Sequence, residues 1–313
     1  MAPEARAVRD RIMGTTVLVA GLDATGQAAV LGLLREAERI FSRFTADSDT
    51  SRVNAAAGRP TRVSPLFTAA LAEACAHQAA SGGLFDPFLA ADLVRLGYDR
   101  DFAAVRSVPA APAAPPRPAG GGAPPRVRID HGVPEVALSP GLAVDLGGFV
   151  KGWAVQRAAG ERMRAGAPRG LIDAGGDIAA WRGPGGAPWR IGVEHPLDTA
   201  PAGVLALPPV AAVATSSVVR RGWRDTAGAR LHHIVDPRTG APADSDCLQA
   251  TVLAADLAAA EVYATCLVLL GTGDGPAWLA GRDPAAAWIT VDRDGRVRRS
   301  ADLDLHHEGA ARP

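Results

Sequence analysis

Residues 144–152 read Val144-Asp145-Leu146-Gly147-Gly148-Phe149-Val150-Lys151-Gly152: apolar, acidic, doubly glycine, then apolar again before a single cation. Lys151 is the only lysine in the chain, in a sequence whose other strongly basic side chains are all arginine. A bias toward arginine explains the missing lysines but not the one position that keeps one. Two readings stand side by side. A strand can pass into a helix through a Gly-Gly turn and leave Lys151 on the surface. Alternatively, the glycines let the backbone approach a ligand closely, with one acid and one cation aimed at it. A second double glycine beside acids, Asp173-Ala174-Gly175-Gly176-Asp177, follows an apolar strand pattern.

Working outward, residues 14–20 are β-branched and predict a strand. Val30, Leu33, Leu34, Ala37, Phe41 and Phe44 recur at helical spacing. Ser64-Pro65 supplies an N-cap and a first-turn proline for a second helix, closed by Gly82-Gly83. A short helix is expected around 90–96. Downstream, strands are expected at 129–133, 136–138, 171–174, 189–193, 210–215, 232–235 and 249–254. Helices are expected at 150–163 and at 258–270, the latter stopping at Gly271, and 288–299 carries a hairpin signal around Asp294-Gly295. The elements do not alternate as regular βαβ units, so the class is α+β, with mixed or antiparallel sheets packed against helices. The expected organisation is a tail over 1–12, one domain over 13–307 and a tail over 308–313. Within the domain, the Pro/Ala/Gly-rich stretch 103–126 reads as a flexible loop.

Apolar residues make up 48% of the chain and charged ones 21%, the balance of a soluble globular protein. Formal net charge is zero, which argues against a nucleic-acid or anionic-membrane surface. Cys75, Cys247 and Cys266 are odd in number and far apart, so neither a disulfide framework nor a zinc pattern follows. No export signal is visible at the start and no uninterrupted apolar run is long enough to span a bilayer, so a cytoplasmic protein without a membrane segment is expected.

Glu261 and Thr265 stand four residues apart on a helical pattern, so a carboxylate and a hydroxyl share one face and suit a hard cation such as Mg²⁺. The alternative is a solvated glutamate and a threonine bonded back to its own helix. His232 and His233 precede an Asp-Pro turn; one of them is a candidate general base, or both are structural. Zinc-ligand spacing and a G-x-S-x-G elbow are absent, and residues 21–26 lack both glycine-rich phosphate-loop patterns.

Taken in order, these pieces resemble the ApbE-type FAD:protein FMN transferases. Met13-Gly14-Thr15, Phe41-Ser42-Arg43-Phe44 with Asp47-Ser48-Asp49 and Ser51-Arg52-Val53-Asn54, and Gly83-Leu84-Phe85-Asp86-Pro87 are similar to the family's early motifs. Residues 145–152 resemble its most specific one, and 173–177, Ala214-Thr215-Ser216, 233–240 and Ala260-Glu261-Val262-Tyr263-Ala264-Thr265 follow in turn. The resemblance implies an ApbE-type, T-fold-like architecture that binds FAD as substrate and Mg²⁺ as cofactor. FMN would pass to a Thr or Ser hydroxyl of an acceptor flavoprotein, and AMP would leave. With water in place of the acceptor the same site would be an FAD pyrophosphatase; without turnover it would be an FAD-binding protein. The resemblance also places Met13, Phe44, Leu84, Phe85, Asp86, Asp145, Lys151, Asp177 and Val235 at FAD. It assigns the metal to the Gly148 carbonyl, Glu261 and Thr265, and the base to His233. The chain departs from the family in carrying Glu261 where aspartate is usual and Phe44 where tyrosine is common.

Overall fold

The structure, a computed structural model, describes residues 6–105, 108–109, 127–301, 303 and 305–306. In chain order the strands are β1 (Val8–Ile12), β2 (Thr15–Ala20), β3 (Thr61–Arg62), β4 (Val127–Asp130), β5 (Glu135–Leu138), β6 (Arg169–Ala174), β7 (Ile178–Arg182) and β8 (Arg190–Val193). They continue with β9 (Gly203–Ala206), β10 (Val210–Ser217), β11 (Gly222–Arg224), β12 (Arg230–His232), β13 (Cys247–Ala254), β14 (Ala287–Asp292), β15 (Val297–Arg299) and β16 (Leu305–His306). The helices are α1 (Ala24–Phe41), α2 (Asp49–Ala55), α3 (Pro65–Ala80), α4 (Ala90–Arg95), α5 (Val150–Arg164) and α6 (Leu257–Arg282). Pairings between these strands are antiparallel, and the α+β class read from the sequence is the class observed. Most of the expected loop over 103–126, and the tail over 308–313, lie outside the described residues. The expected tail over 1–12 is corrected from Val8 onward. Val8, Asp10 and Ile12 alternate inward, and the segment pairs with β2.

Within the span read as one domain, the chain forms two compact units. The first comprises Met1–Leu34, Lys151–Arg220 and Ser245–Pro313. Its eight-stranded sheet runs β1-β2-β6-β7-β10-β13-β14-β15. One face buries Leu171, Ile178, Ala180, Val213 and Ile289 with Val193 and Leu205 from the smaller β16-β9-β8 sheet. Because side chains alternate along a strand, Ala212, Ala214 and Ser216 of β10 point to the other face, where α6 packs on β10 and β13.

Helix α6 is apolar on nearly every side and is buried accordingly. Gly271, where the sequence predicted its end, instead makes a kink at φ 80° and ψ 177°, a conformation essentially reserved for glycine. The helix resumes because Asp246 Oδ1 accepts a hydrogen bond from Thr272 N at 2.8 Å and caps the second segment. By length and composition alone α6 is long and apolar enough to cross a membrane, but 72% of its most apolar stretch is buried, as a core helix is.

The second unit comprises Arg35–Val150 and Arg221–Asp244. It holds the end of α1, α2 to α4, the β3-β5-β4 sheet and the β11-β12 ribbon. Tyr98, Trp223, Leu231 and Val235 share a core with Leu93 and Leu96. Ser64 caps α3 as expected, accepting from Phe67 N at 3.2 Å. Helix α1 stops at Phe41 rather than reaching Phe44, because Thr50 Oγ1 and Ser48 Oγ donate to the carbonyls of Phe41 and Ser42 and close its end.

Candidate functional site

The first unit concentrates acid, cation and hydroxyl around the start of α5. Lys151 lies in the first turn of α5, and its Nζ donates to Asp177 Oδ2 and to Glu261 Oε1, each at 2.5 Å. Glu261 Oε2 accepts from Gly152 N at 2.9 Å. The glycine there is a packing requirement: a Cβ on Gly152 would stand 2.9 Å from Glu261 Oε2 and 3.0 Å from the Leu257 carbonyl. Asp177 and Glu261 are both buried. Burial first, and then the neighbouring Asp177 charge, push the Glu261 carboxyl well above the ordinary carboxylate range, while Lys151 pulls it back.

Asp177 is delivered by the β6–β7 turn. Gly175 and Gly176 both have positive φ, and Asp173 Oδ1 accepts from Gly176 N at 2.8 Å. A Cβ on Gly175 would come within 2.0 Å of Thr15 Oγ1, so this turn packs directly on the start of β2, beside the Met13-Gly14 corner. Met13 itself has φ 53°. One turn along α6 from Glu261, Thr265 Oγ1 shares a hydrogen bond with Ser216 Oγ of β10 at 3.0 Å.

The second unit carries the other candidates. Asp145 forms an ion pair with Arg43 Nε at 2.8 Å, and its Oδ1 accepts from Gly147 N. The Arg43 guanidinium lies over the rings of Phe44 and Tyr98, 4.2 and 4.6 Å from their centroids. Phe44 is exposed. Asn54 clamps the head of the 144–152 stretch, donating to the Val144 carbonyl at 2.9 Å and accepting from Val144 N at 2.7 Å. Asp86 Oδ1 accepts from Gln78 Nε2 and Phe88 N, which shapes the Leu84–Pro87 loop. The Phe85 ring is buried against Phe149, and Val235 lies in the core, so neither side chain is exposed at a surface. Gly148 is exposed, with open space where a Cβ would stand.

The histidine pair separates into two environments. His232 is buried, and its Nε2 donates to the Ala243 carbonyl at 3.1 Å. Burial pulls its pKa down to about 4, so it is a neutral structural imidazole at pH 7. His233 is partly exposed, which leaves it as the candidate base of the two.

Arg43, Asn54 and Ser216 stand inside the motifs, and their roles are visible only in the folded chain. Their partners stand tens of residues away in the chain, and nothing local signals the pairings. Among the described residues no group of three or more His, Cys, Asp or Glu has the arrangement of a metal cage. A cation would instead rely on the mixed oxygen set of Glu261 and Thr265 beside Asp177. That set fits a hard divalent ion. The donors are oxygens, and the two buried carboxylates outweigh the one ammonium.

Fold and clusters together define a mixed α+β protein with a buried acid–lysine cluster set against a double-glycine turn. Residues 13–289 match the ApbE family, and the chain belongs to that family. It is 30% identical over 294 residues to the FAD:protein FMN transferase of Klebsiella pneumoniae (strain 342), covering 90% of this chain and 88% of that protein. The FAD:protein FMN transferase of Rhodobacter capsulatus is 29% identical over 165 residues, 53% of this chain but 31% of that longer protein. The crystal structure of the ApbE protein from Thermotoga maritima MSB8 superposes with a TM-score of 0.81 at 26% identity, covering 95% of this chain and 97% of that one.

Proposed function

We propose that this chain transfers the FMN moiety of FAD to a Thr or Ser hydroxyl of an acceptor flavoprotein, with Mg²⁺ as cofactor. The observation that carries the reading is the Lys151–Asp177–Glu261 cluster, in a chain whose relatives are named FAD:protein FMN transferases. The acceptor oxygen bonds to the phosphorus on the FMN side of the pyrophosphate. The bond from that phosphorus to the bridging oxygen breaks, and AMP leaves with the electron pair. His233 takes the hydroxyl proton. Lys151 offsets negative charge on the pyrophosphate oxygens, and Gly147 and Gly148 keep that stretch free of side chains. Glu261 and Thr265 would hold Mg²⁺, which would supply Lewis-acid neutralisation of phosphate charge. Met13, Phe44, Leu84, Asp86, Asp145 and Asp177 are the residues proposed to contact the flavin nucleotide.

The test incubates the protein with FAD, Mg²⁺ and candidate acceptor domains and follows two products by mass spectrometry. Covalent FMN on the acceptor with matching AMP is the expected result. AMP without covalent FMN would instead make the protein a pyrophosphatase. FAD binding with neither product would make it a flavin-binding protein.

A further inference from the structure

Lys151, the only lysine of the chain, holds the position of a cation. Its ammonium bridges Asp177 Oδ2 and Glu261 Oε1 at 2.5 Å each, and both carboxylates are buried. Two acids under one ammonium leave a net negative charge in the interior, which favours further cation binding. A divalent ion on Glu261 would meet an ammonium already bonded to the same carboxylate. Like charges at such distances in a poorly hydrated setting repel strongly, so the two cannot share the oxygens. The lysine stem is unbranched and rotatable, and the side chain is 16% exposed against 3% and 4% for these two partners, so it is the most accessible member of the cluster.

We propose that Lys151 is a displaceable counter-ion. With Mg²⁺ held by Glu261 and Thr265 beside Asp177, the ammonium would lose its place on Glu261 and turn to the pyrophosphate of the substrate. This rests on the flavin-transfer reading above and deepens it. Lys151 then serves two partners in turn, and cation and pyrophosphate bind with positive cooperativity. Metal-free protein keeps the lysine on its two acids, and so away from other anions, until a cation arrives.

Being unique, the lysine can be observed directly. Labelling with ¹⁵N-lysine gives a single side-chain ammonium signal in the full chain. Slow exchange and an ion-paired shift are expected without metal, movement to the position of a free lysine at saturating Mg²⁺, and a further change when ADP is added as a pyrophosphate probe. In parallel, calorimetry on Lys151→Met should show Mg²⁺ bound about tenfold more tightly than by the parent, with the mutual enhancement between Mg²⁺ and ADP lost. A lysine signal that stays in place while calorimetry shows Mg²⁺ saturating the protein would overturn the displacement and leave flavin transfer standing. So would a Lys151→Met protein that is folded and binds Mg²⁺ no more tightly. A parent protein that binds neither Mg²⁺ nor FAD would overturn this inference together with the function on which it rests.

Discussion

At the scale of single residues, neighbouring side chains of one type are given different work by their surroundings. His232 and His233 are adjacent, yet one is buried with its ring nitrogen on the Ala243 carbonyl and the other is partly exposed. A general base must reach its proton, so His233 is the one able to act. His233→Ala should lower the rate of FMN transfer by about 100-fold or more while FAD affinity and melting temperature stay near the parent values. Stopped-time mass spectrometry with a calorimetric titration of FAD measures both; an unchanged rate removes His233 as the base. Both oxygens of the Glu261 carboxylate are used: one meets Lys151, the other Gly152 N. The glycine makes room for that contact, since a Cβ on Gly152 would collide with Oε2.

At the scale of elements, the 144–152 stretch is positioned less by its own conformation than by what grips it. Asn54, near the end of α2, bonds both backbone groups of Val144, which is completely buried. Asp145 N donates to the Pro87 carbonyl at 2.8 Å, tying the stretch to the Leu84–Pro87 loop. Asn54→Ala would leave a buried N–H and carbonyl without their partners. It should cost about 2 kcal/mol of unfolding free energy, measured by urea denaturation, and weaken FAD binding at the same time. A loss within a few tenths of a kcal/mol would show that water replaces the clamp. The motif Ser51-Arg52-Val53-Asn54 thus carries a structural duty toward a segment about ninety residues away.

At the scale of the whole molecule, acid stability follows from two groups that oppose each other. His232 has a folded pKa of about 4 against an ordinary value of 6.5. Between those values the unfolded chain binds a proton that the native protein does not. Stability from His232 is therefore fully present above 6.5 and is lost as pH falls toward 4, by about 3 kcal/mol in all. Glu261 works the other way. Its folded carboxyl titrates above the ordinary 4.5, so its contribution is present below that value and lost as pH rises through the folded pKa. Comparing the parent with His232→Asn cancels the Glu261 part. The gap between their stabilities should shift by about 3 kcal/mol in favour of the variant from pH 7 to pH 4, by denaturant unfolding at each pH. A constant gap would mean that the imidazole is solvated.

The sequence alone determined the α+β class, most helix and strand positions and the motifs that resemble the ApbE family. Those are local matters: periodicity, caps and turn residues act over a few positions. The Ser64 cap, the 150–164 helix and the β14–β15 hairpin were all legible that way. Three things were decided only by tertiary structure. The N-terminal segment from Val8 became a strand because β2 offers it a partner, and α6 ran past Gly271 because Asp246, distant in sequence, caps the resumed helix. Most of all, Lys151 changed its meaning. Its solitude was visible in the sequence, but its ion pairs with Asp177 and Glu261 span 26 and 110 residues, and only the folded chain brings those charges within 2.5 Å. Burial then makes those charges strong enough to matter, and burial is not a property any local stretch possesses.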